Sequence, residues 1–76
     1  MTIEDLIKKY TDRYKELGGE FASYVERVIQ LREDKTVDEG LFHFMKDTYK
    51  DLMENCGVRM EEIAKILIDL KKLNNE

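Results

Sequence analysis

No proline interrupts this chain, and only four of its residues are glycine. Few positions therefore force a turn, and long helices can run without an obligatory break. β-Branched residues neither cluster nor alternate with polar ones, so no stretch reads as a strand. The single cysteine, Cys56, excludes an internal disulfide and fits a reducing compartment. It reads as a small, partly buried apolar residue, since only Arg59 lies near enough in sequence to activate a thiol. No hydrophobic run approaches the roughly 18–20 residues of a membrane span. The opening MTIEDLIKK carries acids where a signal peptide would carry positive charge. The expectation is a cytosolic (cytoplasmic) protein with no membrane role.

What the chain does contain is charge. Acidic and basic residues make up 39% and hydrophobic residues 42%, too apolar for disorder and too charged for a membrane protein. Its 76 residues make a single domain, 1–76. A chain of this size buries only about 60–65% of its unfolded surface, which leaves little room for a core and an enclosed catalytic pocket together. The net charge of −4 comes from 17 acids and 13 bases with interleaved signs. Glu4/Lys8, Asp5/Lys9 and Glu61/Lys65 have the i,i+4 spacing of solvated helix faces. With no basic run to grip phosphate, nucleic acid is not the expected partner.

Everything reads as helix. Ile3, Ile7, Tyr10, Tyr14, Leu17, Phe21, Tyr24, Val28 and Leu31 are spaced 4-3-4-3-4-3-4-3. That phase does not slip across Gly18-Gly19, although each glycine costs a helix interior about 1 kcal/mol. One long helix over about 2–33 is expected, opened by a Thr2–Asp5 cap; a tight Gly-Gly turn giving two antiparallel helices is the alternative. Its apolar stripe is narrow before the glycines and broadens after them, from the seam of a coiled coil to the face of a bundle helix. Asp34-Lys35 forms a short connection, and Thr36 with Glu39 has capping-box spacing for a second helix over about 36–56. Gly57 sits where a left-handed residue would end it. A last helix, about 59–73, carries Met60, Ile63, Ala64, Ile66, Leu67, Ile68, Leu70 and Leu73 over well more than half its circumference. The expected fold is all-α: three helices, a long N-terminal one plus a helical hairpin, or four if Gly18-Gly19 turns.

A last helix so broadly apolar needs neighbours on more than one side, and a three-helix chain of this size hardly supplies them. Self-association or a permanent protein partner follows. A homodimer, or another homo-oligomer, would bury Ile3, Ile7, Tyr10, Tyr14 and Leu17 together with part of the last helix, where Ile66, Ile68 and Leu73 are the candidates.

The stretch GVRMEEIAKIL, Gly57 to Leu67, resembles the first helix of the helix-turn-helix motif of small bacterial and phage regulators. The resemblance rests on the Gly57 turn, the paired glutamates and the Ile63-Ala64 packing pair, and it implies DNA binding through a following recognition helix. Here the sequence departs from the motif. Ile68-Asp69-Leu70-Lys71-Lys72-Leu73 continues the same helix without a turn, and its polar strip sets Glu61, Glu62 and Asp69 against Lys65 and Lys72. A DNA reader would have to assemble a basic face elsewhere, from Lys8, Lys9, Arg13 and Lys15 across a dimer.

Chemistry is as sparse as the punctuation. His43 is the only histidine. Glu39 and Asp47 lie one turn to either side, but three such side chains in line do not surround an ion. Ser23, the only serine, is remote from it, and Gly18-Gly19 has neither the strand nor the basic residue of a phosphate loop. No catalytic residue, cofactor or metal is expected. Tyr10, Tyr14 and Tyr24 read as packing residues with their hydroxyls at the margin, or as part of an aromatic-rich protein interface. The function expected is that of a small, non-enzymatic helical interaction or regulatory protein. It would act as a homo-oligomer or by occupying a partner protein of unknown identity, as phage- or plasmid-type inhibitors do. The alternative is a small helix-turn-helix-like transcriptional regulator.

Overall fold

A computed structural model describes residues 1–75. The described residues form two helices, α1 (Ile3–Glu33) and α2 (Glu39–Asn74), packed side by side as an antiparallel hairpin. At about 1.5 Å per residue the longer helix is about 54 Å long, so the Cα positions span 57 × 16 × 14 Å. The radius of gyration, 17.2 Å, far exceeds the roughly 11 Å of a compact domain this size.

α1 begins as its sequence requires. The Thr2 hydroxyl accepts the Asp5 N–H and the Asp5 carboxylate accepts the Thr2 N–H, both at 3.1 Å, so two orphan donors are satisfied reciprocally. The helix passes through Gly18-Gly19 unbroken; the possible turn there does not form. The apolar phase explains this, because Tyr10, Leu17, Tyr24 and Leu31 all face α2 only while the helix continues. Leu17 is 1% exposed and packs with Cys56 and Ile63, flanked by Tyr10, Met60 and Leu67.

The reversal between the helices differs in detail from the expected capping box. Thr36 does not cap α2. Its N–H and its hydroxyl both donate to Asp34 Oδ1, at 2.9 and 2.6 Å, folding the connection onto itself. The N-cap of α2 is Asp38, which accepts the Leu41 N–H at 2.7 Å. Both residues are short acceptors ahead of a helical run, and spacing alone does not rank them.

The larger correction is the helix count. α2 does not end at Gly57; the expected second and last helices are one, and Gly57 lacks the positive φ of a terminating residue. Phe42, Met45, Tyr49, Met53, Cys56, Met60, Ile63, Leu67 and Leu70 step 3-4-4-3-4-3-4-3, again without a slip at glycine. Stopping at Gly57 would detach Met60, Ile63 and Leu67 from α1, whose N-terminal half has no other partner. Burying those side chains offsets the roughly 1 kcal/mol a mid-helix glycine costs.

Three outcomes follow. Leu17→Ala should lower the unfolding free energy by about 2–5 kcal/mol in chemical denaturation, as befits a fully buried leucine. Gly19→Ala should raise it by about 1 kcal/mol, because a Cβ there meets nothing within 4 Å; an unchanged or lowered melting temperature would contradict a continuous α1. The two bonds from Thr36, its hydroxyl first, hold the Asp34 carboxyl below its ordinary value. A depressed folded pKa contributes stability above the unfolded carboxylate pKa of about 3.9, lost as pH falls through the folded value. Thr36→Val should move the Asp34 titration, followed by NMR, upward toward that ordinary value.

Candidate functional site

A groove of about 230 Å³ lies at the reversal, lined by Leu31, Arg32, Asp34, Val37, Glu39 and Phe42. A second, of about 110 Å³, runs beside the seam between Glu20, Tyr24, Leu52, Asn55 and Arg59. Among the described residues no group of three or more His, Cys, Asp or Glu side chains is placed to hold a metal ion. The Glu39/His43/Asp47 ladder is a solvated helix face: His43 Nε2 lies 3.8 Å from Glu39 Oε1, and both side chains are largely exposed. Among the described residues no helix is long and apolar enough to cross a membrane.

Of the tyrosines, Tyr24 is half-buried in the seam with its ring centroid 6.0 Å from that of Tyr49. Tyr10 is half-buried against Leu17, while Tyr14 stays exposed. Cys56 is buried, and its S–H donates to the Leu17 carbonyl at 3.0 Å, bridging the helices at mid-length.

What the chain offers is surface. At roughly 100° per residue, each helix has two flanks beside its seam, and two contacts show which flanks share a side. A Cβ on Gly18 would lie 3.8 Å from the Met60 methyl. The Gly18 flank of α1, with Ile7, Tyr14, Phe21, Val25 and Ile29, therefore shares a side with the Met60 flank of α2, with Met53, Gly57, Ala64 and Ile68. The small groove joins Glu20 to Leu52 and Arg59. The opposite side thus pairs the charged flank of α1 (Lys9, Arg13, Glu16, Glu20, Arg27) with Leu41, Phe44, Leu52, Ile66 and Leu73 of α2.

The eight interface candidates fall into three groups. Leu17, Ile3 and Tyr10 face α2 and are covered within the chain, Leu17 fully. Ile7, Tyr14 and Ile68 lie on the glycine-centred side, Ile68 more than half exposed. Ile66 and Leu73 lie on the opposite side. Phe21, Val25 and Ile29 stay exposed on the glycine-centred side and Phe44, 70% exposed, on the opposite one, whereas a helix read alone places the first three in one broad bundle face. Only the pairing of flanks across two helices separates them.

The helix-turn-helix likeness does not survive as structure. Gly57 to Leu67 is the interior of α2, with no turn before or after it. Lys9 and Arg13 share the charged flank of α1 with Glu16 and Glu20 while Lys8 and Lys15 point away from it, and Arg13 Nη1 is engaged by Glu16 at 3.0 Å. Comparison with known protein families, curated proteins and solved structures finds no match. Chemically, the arrangement presents exposed apolar flanks beside charged ones.

Proposed function

We propose that this protein is a non-enzymatic helical interaction protein, a regulatory element that works by covering its apolar flanks with another protein surface. Self-association into a homo-oligomer is the principal mode, and occupation of a partner protein is the form it would take toward another chain. One observation carries this reading. The hairpin exposes 6006 Å², whereas a compact monomer of 9.1 kDa exposes roughly 4900 Å². The excess of about 1100 Å² exceeds the roughly 800 Å² each side contributes to a standard interface.

The composition of that surface supports the same conclusion. Among the described residues four hydrophobic ones are buried, while twelve large ones, Ile29, Ile68 and Val25 among them, remain exposed. An isolated pair of helices with so small a core is marginal, and a partner that binds only the folded form stabilises it by mass action. Sedimentation equilibrium over a hundredfold concentration range, with thermal melts at each end, tests the reading. The expected result is an oligomer at micromolar concentration and a melting temperature that rises with concentration. A monomer at every concentration, with a constant melting temperature, would remove self-association.

A further inference from the structure

We infer that a second copy of this chain seats on the glycine-centred side of the hairpin, with α1 antiparallel to α1 across a twofold axis at Gly18, giving a four-helix bundle. This rests on the self-association reading above and specifies its geometry.

The choice of side follows from the flanks. A face-to-face partner must cover both helices, and on the glycine-centred side the middle of each is apolar. Tyr14, Phe21 and Val25 line it on α1 and Met53, Met60 and Ala64 on α2, while Lys46 and Lys50 lie toward the α2 N-terminus. On the other, α1 presents Lys9, Arg13, Glu16, Glu20 and Arg27, which a second copy would have to desolvate.

The direction follows from a symmetry in the stripe. Ile7 and Ile29 each lie eleven residues from Gly18, Thr11 and Val25 each lie seven, and Glu4 and Arg32 each lie fourteen. An antiparallel copy turned about Gly18 therefore sets isoleucine on isoleucine, Thr11 on Val25 and Glu4 against Arg32. The intramolecular register, with Leu17 bonded to Cys56 and Tyr24 beside Tyr49, brings Asn55 level with Gly18. About Asn55 the same operation sets Phe42 on Ile68, Glu39 against Lys71, and Met53 over Gly57. A C2 interface needs this self-complementarity, because one surface must fit itself. Placing α1 on α2 of the second copy instead sets Val25 and Ile29 against Lys46 and Lys50.

The glycines complete the argument. A mid-helix glycine costs stability relative to alanine, and neither Gly18 nor Gly57 has a positive φ to justify it. Within the chain, a Cβ at Gly57 meets nothing within 4 Å and one at Gly18 meets only the flexible Met60 methyl. Both open onto the proposed interface, where the missing side chains let the second copy approach closely and receive Met53.

Three variants test the placement, each checked by circular dichroism for retained helix. Gly57→Glu should weaken self-association by roughly 100-fold or more, because it buries an unpaired charge at the centre of the contact. Phe44→Glu, on the opposite side, should leave association within about threefold of wild type. Gly18→Cys, mildly oxidised, should give a covalent dimer whose disulfide maps by peptide mass to position 18 in both copies. If wild type associates but Phe44→Glu dissociates it and Gly57→Glu does not, the interface is on the wrong side, and the association reading stands. If Gly57→Glu dissociates it but position 18 does not cross-link, the direction is wrong. A wild-type monomer, or a dye- or peptide-accessible glycine side in the oligomer, overturns the inference and leaves that side to a foreign helix.

Discussion

Everything in this molecule depends on two helices staying in phase with each other along nearly their whole length. Each packs through a stripe whose mean step is 3.5 residues, and at mid-length the stripes meet where Leu17 and Cys56 are closest. A slip of one residue in either helix would turn Leu17, Tyr24 and Leu31 out of the seam together. The register therefore holds as a unit. Among the described residues there is one interface between elements, and no second packing layer compensates for its loss.

The all-α class was legible because nothing in the chain opposes it: no proline, no strand pattern, and a capped amphipathic start at Thr2. The continuity of α1 was legible for a physical reason, since Ile3 through Leu31 keep one phase across Gly18-Gly19. The same reasoning applied to Met53, Cys56, Met60 and Ile63 would have kept α2 whole. Gly57 misled because a glycine followed by an apolar residue is also how helices end, and local signals do not report the long partner waiting on the other side. Cap choice failed similarly at Thr36, where Asp34 competes for the hydroxyl.

The exposed apolar surface was legible only in part. The excess apolar circumference of the last helix points to Ile66, Ile68 and Leu73, and all three are exposed in the hairpin. What one helix at a time does not disclose is which flank of α1 adjoins which flank of α2, because that depends on antiparallel pairing. Leu17 and Tyr10 look like interface residues on a lone helix and become core once α2 lies over them. Phe21, Val25 and Ile29 look like core and become surface.

The mid-length bridge makes the lone cysteine an internal clock. Cys56 lies 4% exposed at the floor of the groove beside the seam and lends its proton to the Leu17 carbonyl, so a thiol reagent reaches it far more readily when the two helices part there. Fraying at either end of a rod 57 Å long leaves it shielded. Its alkylation therefore quickens as the middle of the hairpin separates, the event after which neither half retains a partner.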